Sequence, residues 1–303
     1  PGAVLVRVAR SHIRIGTFEY FASRGDHDAL NVLAEHVIQR HYPDAAQADQ
    51  PVVAMLEAVV GRQAELVARW QALGFIHGVM NTDNMAISGE TIDYGPCAFL
   101  DHYDESAVFS SIDAGGRYSY RNQPLVGGWN FARFAESLFP LLDDIPQQQA
   151  LSSMQDALEE YVSLQKQLYL TGMREKLGLF TETPEDEHLI DTLLELMQHK
   201  RADFTNTFRA LTFEAVEEPA LANDPAFKEW HNRWTARQQL EGRSKQEILK
   251  LMKSKNPAVI PRNHRVEAAL EAAAQGDYKV MEKLLDILRD PYAHSDEQQP
   301  FAA

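Results

Sequence analysis

The sequence predicts a mainly α-helical protein with one small β-hairpin element. Three observations point there. Apolar residues recur at helical spacing over 28–40 and 51–73, and almost without a break after Asn130. Only the opening "AVLVRVA" and the paired arms of "MAISGETID" read as strands. The composition, 45% apolar and 24% charged over 303 residues, is that of an ordinary globular chain long enough to bury a core.

Taken in order, "AVLVRVA" is apolar and β-branched, with Arg7 inside it. Over 28–40, Leu30, Leu33, Val37 and Ile38 mark a helix that Pro43 stops. Pro51 opens a longer helix, with Val52, Val53, Leu56, Val59, Val60, Val67 and Trp70 as its buried stripe and Gly74 just past its end. In "MAISGETID", Gly89-Glu90 is expected to form a two-residue type II′ turn between two short strands. The stretch "SSIDAGGRYSYRNQPLVGGWN", rich in Gly, Ser and aromatics, reads as a long ordered loop.

Beyond it "NFARFAESLFPLL" runs into Pro146, with Trp129, Phe131 and Phe134 expected in the core. A long helix follows over 148–179, continuous or broken near Gly172. The remaining helical stretches are "DEHLIDTLLELMQHKR", "DFTNTFRALTF", "AFKEWHNRWTARQQL", "SKQEILKLMKSK", "HRVEAALEAAA" and "YKVMEKLLDIL". The acids of "ETPEDEH" read as a solvated helix start, suited to the positive end of the helix dipole. The tail "DEQQPFAA" reads as disordered. The expected organisation is a catalytic region over 1–145 and a helical region over 146–303, packed as one compact unit.

A formal charge of −15 argues against nonspecific nucleic-acid binding and against an anionic membrane surface. It leaves a nucleotide ligand open, because local Arg residues and a bound cation can reverse the local field. The single cysteine, Cys97, rules out a disulfide within this chain and a cysteine-based zinc site; in a turn after Pro96 it reads as a small buried apolar residue. No run approaches a membrane span and the opening is no signal peptide, so a cytosolic-type compartment is the expectation. The chain begins with Pro and within a strand-like run, which suggests a fragment.

The chemistry concentrates in "GFIHGVMNTDNMAISGETIDYGPCAFLD". If the hairpin forms, Asp83-Asn84 before its first arm and Asp93 at the end of its second become neighbours. Two carboxylates and an amide make an oxygen-rich site for a hard cation, and Mg²⁺ favours one or two carboxylates plus phosphate oxygens. Asp93-Tyr94-Gly95 is similar to the kinase D-F-G, and Asn84 to the catalytic-loop Asn. The bland readings are an Asx turn at Asp83-Asn84 and a chance D-Y-G. Where kinases place the catalytic Asp, two residues after His77, this chain has Val79, and Asp83 is the nearest carboxylate able to act as base. His77 reads as a brace for this loop. Arg7 and Arg14 by themselves read as surface ion-pair residues, and Asp113 with Arg117 as an ion pair holding the following loop.

Together with "VLVRVARSHIRIGTFEYF", "SSID…GRYSYRNQP…WN" and "NPAVIPRN", these motifs resemble the selenoprotein O/YdiU family of pseudokinase-fold protein adenylyltransferases, over nearly the whole chain. The resemblance implies a protein-kinase-like C-lobe with additional C-terminal helices, ATP as substrate, Mg²⁺ (or Mn²⁺) as cofactor, and protein hydroxyls as acceptors. It implies Asp83 as general base, Asn84 and Asp93 as metal ligands, and Arg7, Arg14 and Asp93 on the nucleotide side. ATP would lie flipped relative to a kinase, so that AMP is transferred. The family's nucleotide-binding lobe would precede Pro1 and its Cys- or selenocysteine-bearing end would follow Ala303, leaving this chain alone weak or inactive. Two other functions compete: a small-molecule phosphotransferase, which Val79 disfavours, and a nucleotide-sensing pseudokinase that docks a partner, which Val79 favours.

Overall fold

The structure, a computed structural model, describes residues 4–214 and 220–302. It is mainly helical, with one two-stranded antiparallel sheet among the described residues. The described chain divides into two compact units. The first comprises Pro1–Ala68, His77–Pro96 and Asn122–Leu168; the second comprises Arg69–Ile76, Cys97–Arg121 and Tyr169–Ala303.

In the first unit, the expected opening strand does not form. Ala3 lies outside the described residues, and from Val4 to Ala9 the chain is irregular, with Val4, Leu5, Val6 and Val8 each at least 76% exposed. Helix α1 (Ile15–Ala22) begins six residues after the expected end of that strand; Thr17 Oγ1 accepts the Arg14 backbone N–H at 3.1 Å and so fixes its start. Helix α2 (His27–His41) is capped by Asp26, whose carboxylate accepts the Ala29 N–H, and it ends as Pro43 requires. Helix α3 (Pro51–Leu73) buries Val53, Leu56, Val59, Val60 and Val67 within this unit.

Helix α4 (Gln123–Leu138) starts seven residues before the expected boundary. Pro124 sits in its first turn, where a missing N–H does no harm. Gly127 and Gly128 disguise the helix in sequence, and the structure explains the first of them: a Cβ at Gly127 would overlap the Tyr161 hydroxyl. Phe131 and Phe134 are buried as expected, Phe134 edge-on to Phe18 at 4.9 Å, whereas Trp129 is 42% exposed on the opposite face. Helix α5 (Gln147–Lys176) runs through Gly172 without a break.

In the second unit, β1 (Phe75–Ile76) pairs with β2 (Ala98–Phe99), in register Phe75↔Phe99 and Ile76↔Ala98. Helices α6 (Asp186–Lys200), α7 (Phe204–Thr212), α8 (Pro225–Leu240), α9 (Lys245–Lys255), α10 (Asn263–Ala274) and α11 (Lys279–Leu288) follow. Asp203, Asp224 and Ser244 cap α7, α8 and α9 with their side chains. The core stacks Phe227, Trp230 and Trp234, with the two indoles 5.7 Å apart and 10° from parallel. Their N–H groups donate to the Leu189 and Leu177 carbonyls, both at 2.8 Å.

The expectation of a solvated start for α6 fails at Asp186. This carboxylate is 1% exposed and is held by Arg237 at 2.8 Å, with Glu241 on the other side of the same guanidinium at 2.8 Å. The tail is ordered too as far as Ala302, Ala303 lying outside the described residues. Residues Asp296–Phe301 form a 3-10 turn, Gln298 is buried on the Ile287 and Asp290 carbonyls, and the Ala302 carbonyl accepts from Arg262 and Asn206. Its polar composition hid a set of side-chain-to-backbone hydrogen bonds.

One buried cation stands out. Lys176, in the last turn of α5, is 2% exposed, and its ammonium lies 4.2 Å from the Phe208 ring centre and 5.5 Å from that of Phe204. Burial pushes its pKa from 10.5 down to about 7.

Candidate active site

All residues expected to form the site fall in the first unit. The expected hairpin is reduced to a single bridge, Met85↔Thr91, with the Gly89 N–H donating to the Ala86 carbonyl at 3.1 Å. The reason lies in the carbonyls. The Ala86 oxygen also accepts from Gln63 Nε2 and the Ile87 oxygen from the Tyr42 hydroxyl, so both are drawn away from a hairpin ladder. The other edge of this stretch is taken by residues 13–15. Ile15 N–H donates to the Met85 carbonyl at 3.0 Å, Ile87 N–H donates to the Ile13 carbonyl at 3.1 Å, and Arg14 bridges Ala86.

That pairing, rather than the hairpin, is what gathers the acidic residues. The Asp93 carboxylate is gripped by two guanidiniums, Arg14 Nη2 at 2.8 Å on Oδ2 and Arg7 Nη1 on Oδ1. The Asp83 carboxylate abuts Gly16: a Cβ there would overlap its Oδ1 and come within 3.2 Å of its Cγ. Arg14 and Gly16 are two residues apart, at most about 7 Å of backbone. Asp83, at its backbone, and Asp93, through the Arg14 side chain, are therefore both held by one short segment that lies some seventy residues earlier in the chain.

The electrostatics follow. The Arg14 hydrogen bond, helped by the charges of Arg14 and Arg7 and opposed by partial burial, holds the Asp93 carboxyl below the usual carboxylate range. Asp93 also adopts φ 55°, a left-handed conformation that few residues other than glycine adopt. Asp83 is exposed and has no hydrogen bond or ion pair among the described residues. Asn84 donates Nδ2 to the Val79 carbonyl at 2.8 Å, which fixes its amide and leaves Oδ1 as a free acceptor.

His77 braces the loop. It is fully buried, its Nε2 bonds the Ile92 carbonyl at 2.8 Å, and its backbone N–H donates to Gln123 Oε1 at 3.0 Å. Burial lowers its pKa, so the ring is neutral at pH 7 and Nε2 is the donor. One residue on from Ile92 stands Asp93. A second brace was not legible in sequence: Asn130, fully buried on α4, donates to the Met80 carbonyl at 2.8 Å. Gln123 and Asn130 lie seven apart on one face of α4, and that spacing could have signalled them had the helix start been recognised.

Asp113 holds its loop by accepting the Arg117 and Tyr118 backbone N–H groups at 2.9 and 2.8 Å, a backbone version of the expected pairing. Cys97 is half-buried, and burial raises its thiol pKa.

The donor set suits a hard cation. An ionised carboxylate offers roughly four acceptor positions, of which the two guanidiniums use two at Asp93. The Asn84 oxygen, unengaged next to Asp83 in the chain, is a second, neutral oxygen donor on this loop. Among the described residues no group of three or more His, Cys, Asp or Glu could hold a metal, so any ion here would take few protein ligands, as Mg²⁺ at a phosphate site does. No helix is long and apolar enough to cross a membrane among the described residues.

Comparison with known proteins gives one answer. Residues 1–289 match the family described as "Protein adenylyltransferase SelO". The chain is 54% identical over 302 residues to "Protein nucleotidyltransferase YdiU" of Alkaliphilus metalliredigens, covering 99% of this chain and 61% of that one. It is 56% identical over 304 residues to the protein of the same name from Halalkalibacterium halodurans, covering 100% of this chain and 62% of that one. The Geobacillus kaustophilus protein, also of that name, is 55% identical over 303 residues, with the same coverage. The chain thus spans about 62% of the length of these relatives.

Proposed function

This chain belongs to the SelO protein adenylyltransferase family, and from that premise we propose that it supplies the acceptor and metal side of a site that transfers AMP from ATP to protein hydroxyls. The observation that carries the reading is the seating of Asp83 and Asp93 on one segment, with the Asn84 oxygen free beside Asp83. The architecture is read as a protein-kinase-like C-lobe extended by C-terminal helices, working in a cytosolic-type compartment.

Each residue has a task. Asp93, kept ionised by Arg14 and Arg7, and Asn84, kept in orientation by Val79, would hold Mg²⁺ or Mn²⁺. When bound, that ion neutralises phosphate charge. Arg7 and Arg14 lie beside the same carboxylate, where their guanidinium forks can bind phosphate oxygens. Asp83, exposed and unpaired, takes the proton of a Ser, Thr or Tyr hydroxyl. The acceptor oxygen forms a bond to the α-phosphorus, the bond to the β-phosphate's bridging oxygen breaks, and pyrophosphate leaves with that electron pair. His77 and Asn130 keep the loop in register while this happens.

The test uses the complete protein with ATP labelled at either the α- or the γ-phosphate. Label from the α-position reaches protein, and Asp93→Ala abolishes it. Label from the γ-position would make the protein a kinase. No label, with nucleotide binding retained, would favour a sensing pseudokinase.

A further inference from the structure

We propose that Gly16 is a positioning residue for this transfer, its bare Cα forming the seat of the Asp83 carboxylate; the inference rests on Asp83 acting as the base. Glycine is the wrong residue for the backbone at this point. Gly16 lies in the first turn of α1 and is not among the glycines with positive φ. An alanine would suit the helix at least as well, the preference reaching about 1 kcal/mol in a helix interior. What glycine provides here is space, and the three atoms nearest to an added Cβ all belong to Asp83: Oδ1, Cγ at 3.2 Å and the backbone N at 3.4 Å. Gly25 makes the contrast: it has φ 66° and nothing within 4 Å of an added Cβ, so its role is conformational.

The seat is rigid on the glycine side. The Ile15 N–H donates to the Met85 carbonyl at 3.0 Å, locking the start of α1 against the residues just after Asp83. Arg14, one residue further back, ties the same segment to Asp93. The carboxylate is the side that can yield, because Asp83 is exposed and no hydrogen bond among the described residues fixes it. A methyl at position 16 therefore turns the Asp83 side chain away and leaves the fold intact. A displacement on the order of 1 Å is enough to cost about a hundredfold in rate.

The experiment compares wild type, Gly16→Ala, Asp83→Asn and the double variant in the complete protein. It reads kcat, KM for ATP, nucleotide affinity by direct binding, and Tm. For Gly16→Ala, Tm is unchanged or higher, nucleotide affinity and KM are unchanged, and kcat falls about a hundredfold. The double variant is no slower than Asp83→Asn alone, because both act through one carboxylate. Wild-type kcat in Gly16→Ala beside a dead Asp83→Asn would overturn the seat and leave the base in place. Losses that multiply in the double variant would overturn it too, as would early melting of Gly16→Ala. Full activity in Asp83→Asn would remove the base assignment itself, and the positioning role with it.

Discussion

Replacing Lys176 by Met should stabilise the protein, and by an amount that depends on pH. The ammonium is 2% exposed, and burial is the cause that lowers its pKa from 10.5 to about 7. At about 1.36 kcal/mol per unit, that fall corresponds to roughly 5 kcal/mol of penalty on the charged form. The faces of Phe208 and Phe204 return on the order of 1–2 kcal/mol, so removing the charge should gain about 3 kcal/mol below neutrality. The sign runs one way. Between the folded and unfolded values the unfolded chain holds the proton and the folded chain does not, so wild-type stability rises with pH across that window. Below it both states are protonated and the whole penalty is present. Urea unfolding of wild type and Lys176→Met, from about pH 6 to about pH 10, should show the gap close as pH rises. A gap independent of pH, or a less stable variant at the acid end, would refute the reasoning.

Two further perturbations test the packing. Arg237→Met strands the buried Asp186 and Glu241 carboxylates and should cost about 3–5 kcal/mol at neutral pH. Burial pushes the Asp186 carboxyl up, but the Arg237 and Thr183 bonds hold it below the usual range. The stability it contributes is therefore present above the unfolded value and lost as pH falls through the folded one. The deficit of Arg237→Met in urea titrations should shrink in acid, and a constant deficit would count against it. Gly127→Ala should cost about 1–3 kcal/mol through collision with the Tyr161 hydroxyl, and Tyr161→Phe in the same protein should recover part of that in thermal unfolding, the ring carbon at 3.0 Å remaining close.

The helices were legible because their punctuation is local. Pro51, Asp203, Asp224 and Ser244 mark starts that can be read within a few residues. Asp83, Asn84 and Asp93 were singled out by their similarity to kinase motifs and by an expected hairpin that is reduced here to one bridge. What holds them could not, because Arg14 and Gly16 meet them across a sequence gap that no local pattern spans. The hairpin misled because Gly89-Glu90 has sound turn chemistry, while the side chains of Tyr42 and Gln63 that claim the neighbouring carbonyls lie well upstream. The start of α4 was hidden by two glycines, of which Gly127 makes room for the Tyr161 hydroxyl of a later helix.

The parallel indoles of Trp230 and Trp234 have an optical consequence. Two transition dipoles 5.7 Å apart couple, and the pair gives a couplet in circular dichroism to the extent that the dipoles are rotated within their near-parallel planes. The chain has four tryptophans. Trp129 belongs to the first unit, while Trp70 and the stacked pair belong to the second. The coupled signal is thus a spectroscopic label, already written into the chain, for the second unit alone. Its loss during unfolding, timed against Trp129 emission, would reveal whether the two units melt together or in turn.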